Sequence, residues 1–186
     1  FKKNYGPGST LYDVKTDFGG TPAYVPKNYT GRFYGVQSAR TSLASSLNIP
    51  AVKSLYLGGI PEFIGTAKDM GITTYNQPAD SYGLSMALGA GEVRMVDMVN
   101  AFSTFPTNGK RHEPVYWLKI TDSSGKTVAD NTKEENNKAK QVLDPQIAYL
   151  VSNVMSDNTS RCTLGVFSCS NPLTLPGKTV AAKTGT

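Results

Sequence analysis

Two short runs carry groups that can move a proton and hold an anion: Ser46-Leu47-Asn48 and Lys183-Thr184-Gly185-Thr186. A serine hydroxyl donates and accepts, and an asparagine amide offers a donor and an acceptor side by side. Lysine adds positive potential and an amine that titrates when buried. Side chains alternate along an extended segment, so Thr184 and Thr186 share a face and both hydroxyls can bind one carboxylate. Gly185 between them lets a ligand lie against the backbone. Strict alternation aims Lys183 the other way, so bringing it into the same cleft requires strand twist.

Other chemistries lack their parts. His112, the single histidine, stands between Arg111 and Glu113 and reads as a loop residue, with no Ser-His-Asp triad around it. Gly6-Pro-Gly-Ser-Thr10 lacks the Lys-Ser/Thr ending of a phosphate loop. Cys162 and Cys169 sit in a Gly/Ser/Pro-rich loop, which admits a short disulfide in an oxidising compartment or two free thiols. His112 is about fifty residues from them, so no metal is expected, and no cofactor either. The net charge of +5 is not concentrated, because Lys133, Lys138 and Lys140 alternate with Glu134, Glu135, Asn136 and Asn137. That run reads as a solvated loop, and nucleic acid is not an expected partner. No stretch of these residues approaches the ~20 apolar residues of a membrane span or reads as a signal peptide, which implies nothing about the parent protein.

The elements that must position the two runs follow from periodicity and punctuation. From Ser38 the spacing of Ala39, Leu43 and Leu47 predicts a helix. Pro50 disfavours helical geometry at Ile49 and suits the first position of a new helix, which ends at Gly58-Gly59. Ser46-Leu47-Asn48 therefore lies at a helix–helix junction, where polar side chains can turn into a cleft. Pro61 opens a further helix to Gly71. Met95, Met98, Val99 and Phe102 form an apolar stripe, read as core packing and not a cofactor box. Val115–Thr121 and Lys126–Ala129 read as a hairpin around Asp122-Ser-Ser-Gly125. Asp144-Pro145 is a cap and first-turn pair for a helix carrying Ile147, Leu150, Val151 and Val154. Residues 179–186 read as a small-residue strand. The expected class is α+β, a helical subdomain packed on an antiparallel sheet, in one partial domain over 1–186. Phe1 in place of a methionine and Thr186 in mid-strand predict incompleteness at both ends.

Ser-x-Asn followed by Lys-Thr-Gly resembles the second and third motifs of penicillin-recognising serine enzymes. The likeness extends through Tyr24-Val-Pro-Lys-Asn-Tyr-Thr-Gly-Arg32, Ser45-Ser-Leu-Asn-Ile-Pro-Ala-Val-Lys53 and Ala87-Leu-Gly-Ala-Gly-Glu-Val93. It continues in Ala101-Phe-Ser-Thr-Phe105 and Pro176–Thr186, and so resembles class A penicillin-binding transpeptidases over nearly the whole chain.

That resemblance implies a D,D-transpeptidase cross-linking peptidoglycan stem peptides by serine acyl transfer and inhibited covalently by β-lactams. Ser46 would relay a proton to the leaving amine, Asn48 would orient the substrate amide, and Lys183 would hold the relay hydroxyl. Thr184, Gly185 and Thr186 would bind the substrate carboxylate, with the Thr186 N–H as an oxyanion donor. The family's Ser-x-x-Lys box is not found: Tyr12 stands three residues after Ser9, and Ser123 with Lys126 falls in the hairpin turn, out of family order. The nucleophile is expected upstream, and these residues alone are expected to be inactive. The parent protein would be membrane-anchored on the extracytoplasmic face, with an N-terminal glycosyltransferase domain. Rival readings are a β-lactamase, with Glu62, Glu92 or Glu113 as nominal acid–base residues, or a catalytically dead wall-binding scaffold.

Overall fold

The computed structural model describes residues 4–132 and 138–185. Thr186 and the Lys133–Asn137 part of the charged loop lie outside them.

Strand β1 (Thr10–Asp13) pairs antiparallel with β2 (Gly35–Ser38), which runs straight into helix α1 (Ala39–Ala44). The Ser38 hydroxyl makes that transition by accepting from the Thr41 N–H at 3.0 Å, satisfying one of the orphan donors of a helix start. Helix α2 spans Asn48–Gly58. It begins two residues before Pro50, the expected start. Pro50 occupies the first turn, where a missing N–H costs no helical bond, and Ile49, Pro50 and Val52 are fully buried. That burial offsets the pre-proline restriction on Ile49. Gly59, at φ 91°, turns the chain into α3 (Ile60–Asp69) with Pro61 in its first turn.

Leu55, Ile64, Ala67, Ile72, Tyr75, Met86 and Ala101 form the core between α2, α3, the segment that follows them and the next helix. Helix α4 (Met95–Ser103) departs from expectation. It buries Asp97 and Ala101, while Met95 is 82% and Val99 66% exposed; Met98 and Phe102 are exposed as well. The Met-rich stripe is therefore not core packing here. The helix is turned instead so that the Asp97 carboxylate, 5% exposed, accepts from Thr73 N at 3.0 Å, Thr73 Oγ1 at 2.6 Å and Arg94 Nη2 at 2.9 Å. Bonds to a buried carboxylate are strong, and leaving it unpaired is costly.

The class is α+β, but among the described residues the strands form three separate two-stranded antiparallel sheets, not one. Strands β3 (Lys110–Arg111) and β6 (Lys140–Gln141) pair, as do β4 (Lys119–Thr121) and β5 (Thr127–Asp130). The hairpin turn forms where expected, on an Asp122 carboxylate that accepts from Ser124 N at 2.9 Å. Its first strand starts only at Lys119, since residues 115–118 have no ladder partner. Residues 179–185 form no strand either. Within them Ala182 N donates to Met155 O at 3.1 Å, a helix-end carbonyl taking the place of a neighbouring strand.

Helix α5 (Pro145–Ser156) starts as expected, with the Asp144 side chain accepting from Gln146 N at 2.7 Å. Asp157 caps the short α6 (Asn158–Cys162) and pairs with Arg40 of α1 at 3.0 Å. Just beyond, the Cys162 and Cys169 sulfurs are bonded at 2.05 Å. No helix among the described residues is long and apolar enough to cross a membrane.

Asp97 predicts a pH dependence. Its bonds to Arg94 and Thr73 lower its pKa to about 2, against ~3.9 in an unfolded chain. Because the folded pKa is the lower, the stabilisation is complete above the unfolded value and is lost as pH falls towards 2. The gap in urea midpoint between wild type and Asp97→Asn should stay constant above pH ~5 and shrink between pH ~4 and ~2. A gap that holds constant down to pH ~2 contradicts this role.

Candidate active site

Ser46 owes its place to the way α1 ends. Ser45 is the C-cap, Ser46 N donates to Leu43 O at 3.2 Å, and Leu47 N donates to Ser42 O at 3.0 Å. This is a Schellman motif, which needs a left-handed residue at its centre. Glycine usually fills that position, but here Ser46 does, at φ 58°. The turn satisfies the last carbonyls of α1 and starts α2 two residues later. It leaves the Ser46 hydroxyl facing residues from the far end of the chain.

Lys183 meets it there. Lys183 Nζ donates to Ser46 Oγ at 2.7 Å across 137 residues of sequence, and to Thr184 O at 3.0 Å. With no ladder to impose alternation over 179–185, the lysine side chain turns into the cleft. Burial of the ammonium lowers its pKa below the ordinary lysine value, and the charge of Arg161 lowers it further.

Asn48 opens α2 and is held at two points. Its backbone N–H donates to Asn28 Oδ1 at 2.8 Å, and its Nδ2 donates to Lys27 O at 2.7 Å. Asn28 is anchored in turn by Asp13, whose carboxylate oxygens accept from Asn28 Nδ2 at 2.9 and 2.7 Å. Asp13 also accepts from Tyr34 N at 2.8 Å and has no exposed surface. The Asp13–Asn28 pair thus fixes the start of α2 through the Asn48 backbone N–H, while Lys27 O holds one side-chain amide proton. Sequence reading assigned these two residues no role. Asn28 lies in the Lys27-Asn28-Tyr29 run of the family resemblance, whereas nothing marked Asp13.

Ser46, Asn48, Lys183, Thr184 and Gly185 line one cleft of about 850 Å³, whose walls are mainly apolar side chains of α1, α2 and α5. Such a lining strengthens the few polar contacts inside it. Ser9 lines it too, but as a turn residue: its Oγ accepts from Gly6 N at 2.9 Å, and its N–H donates to Gly6 O at 3.0 Å. Glu62 is the other charged residue on the lining, while Glu113 is paired with Arg111 at 2.5 Å.

The model of the penicillin-binding protein transpeptidase domain matches residues 2–186. The chain belongs to this family. Penicillin-binding protein 2D of Bacillus subtilis is 35% identical over 134 residues, covering 72% of this chain and 18% of the relative. Penicillin-binding protein 1A of Clostridium acetobutylicum is 29% identical over 175 residues, covering 91% and 21%. The chain thus spans about a fifth of the length of these relatives. In fold it is similar to the D,D-transpeptidase domain of a peptidoglycan glycosyltransferase from Eggerthella lenta. There the TM-score is 0.81 at 14% identity, over 99% of this chain and 49% of that one. Penicillin-binding protein 1A from Haemophilus influenzae gives 0.71 at 22% identity, over 86% and 27%.

The left-handed serine at this transpeptidase-family site makes a stability prediction. Ser46→Gly and Ser46→Ala both delete the hydroxyl, but only glycine relieves the backbone. The glycine variant should be the more stable by about 1 kcal/mol. That is roughly 2–4 °C in melting temperature at this chain length. Equal melting temperatures would show that the left-handed turn carries no strain.

Proposed function

We propose that these residues are part of the transpeptidase domain of a class A penicillin-binding protein, which cross-links peptidoglycan stem peptides by serine acyl transfer. The observation that carries this reading is the 2.7 Å contact between Lys183 Nζ and Ser46 Oγ, each from a different family motif. In the reaction a serine hydroxyl attacks the carbonyl between two D-alanines, forming an ester as the C–N bond breaks. The terminal D-alanine leaves with a proton, and an amine from a second stem peptide then takes the acyl group. The nucleophilic serine and its lysine base belong to a Ser-x-x-Lys box upstream of these residues.

Ser46 passes the proton to the leaving amine. Lys183, whose ammonium is destabilised by burial, holds that hydroxyl in line. Asn48, with one amide proton already held by Lys27 O, presents the rest of its amide to the substrate. The Thr184 and Thr186 hydroxyls bind the terminal carboxylate beside Gly185, and the Thr186 N–H stabilises the oxyanion. β-Lactams acylate the same serine. In support, solved relatives of the same fold include penicillin-binding protein A from M. tuberculosis as an imipenem acyl-enzyme complex, with a TM-score of 0.78. The parent sits on the extracytoplasmic face, membrane-anchored behind a glycosyltransferase domain, and the Cys162–Cys169 bond suits such an oxidising setting.

The test is a double-mutant cycle on penicillin acylation in the whole protein. Ser46→Ala and Lys183→Ala should each slow acylation by roughly 100- to 10,000-fold, the range for a lost proton-transfer group. The double variant should lose far less than the product of the two, because both act on one proton path. Wild-type acylation in both folded single variants would refute the mechanism.

A further inference from the structure

Among the described residues Arg161 is the one buried cation outside the two motifs, only 3% exposed, and the reaction as described does not use it. Its guanidinium faces neutral acceptors. Nη2 donates to Ala182 O at 3.2 Å and to Met155 O, and Nη1 donates to Asn158 Oδ1 at 3.2 Å. Met155 O also accepts from Ala182 N, so the guanidinium closes a ring around the residue immediately before Lys183. The backbone of the same turn holds the residue immediately before Ser46. The fully buried Ser45 hydroxyl donates to Ser160 O at 3.2 Å and lies 3.4 Å from Arg161 O.

We propose that Arg161 is a positioning residue for the proton path: it holds Ala182 and, through its own turn of α6, Ser45, and so sets the contact between Lys183 and Ser46. The inference rests on the reading of that contact given above. A merely structural bridge between two carbonyls needs no charge, and burying a cation against neutral acceptors is costly. Arginine suits the task because its rigid fork reaches several acceptors at once, which a lysine ammonium on a flexible stem does not. The placement also puts a fixed positive charge near Lys183, adding to the effect of burial on that amine. The groups facing Lys183 are thus Ser46 Oγ, the Thr184 carbonyl and the Arg161 charge, with Glu62 on the same cleft.

The experiment follows the Lys183 side-chain resonance by NMR through a pH titration of the whole protein, in wild type, Arg161→Met and Arg161→Lys. In Arg161→Met the Lys183 titration should move upward, towards that of an ordinary lysine, because the repelling charge is gone and the loosened segment hydrates the ammonium. Arg161→Lys keeps the charge and most of the stem but cannot reach the same acceptors together, so it should move in the same direction by less. A folded Arg161→Met whose Lys183 titrates as in wild type, with only its melting temperature lowered, would overturn the proposal. Should the methionine variant fail to fold, an unmoved titration in Arg161→Lys overturns it equally. No substrate enters this measurement, so it can fail while the acylation cycle succeeds, and the reverse.

Discussion

Everything at the site depends on a left-handed serine. Because Ser46 sits at φ 58°, α1 can end in a hydrogen-bonded turn, α2 can start at Asn48, and the hydroxyl can meet Lys183. A glycine would make the same turn at less conformational cost but would bring no oxygen to Lys183. Backbone strain of this kind persists where the surrounding structure over-determines it. Here the over-determination is visible: Ser45 is tied to α6, Leu47 is buried, and the Asn48 N–H is tied to Asn28.

The opposite wall is built differently. Lys183 lies on a stretch without a strand ladder, so its position depends on side-chain and helix-end contacts. Met155 at the end of α5 and Arg161 in α6 grip Ala182, and Arg40 fastens α6 back to α1 through Asp157. The two motifs are thus joined through a short loop of protein as well as through their own hydrogen bond. An ammonium placed among mostly apolar walls with a second cation nearby is easier to deprotonate than an ordinary lysine.

Much of this was legible in the sequence where local chemistry decides the outcome. A helix does begin after Ser38, Asp144 caps the helix it was expected to cap, Gly58-Gly59 and Pro61 separate α2 from α3, and Asp122 makes the hairpin turn. The Ser-x-Asn and Lys-Thr-Gly runs do meet across one cleft. Tertiary contacts overrode the rest. Periodicity pointed Met95, Met98 and Val99 inward, but periodicity cannot weigh a carboxylate such as Asp97 with the donors of Thr73 and Arg94 waiting. Small β-prone residues over 179–185 read as a strand, yet a strand needs a partner edge, and the partner found is a helix end. Asp13 gave no signal because an aspartate inside a short strand is unremarkable until Asn28 folds onto it from fifteen residues away.

The central claim is that these residues supply the proton relay and the carboxylate site of a serine acyltransferase, and not its nucleophile. The most direct measurement is intact mass after exposure of this 186-residue chain to a penicillin, beside the whole protein. The account predicts no mass increase on the chain and a stoichiometric adduct on the whole protein, mapping to a Ser-x-x-Lys serine outside these residues. An adduct on Ser9, or on any other serine of this chain, would contradict it.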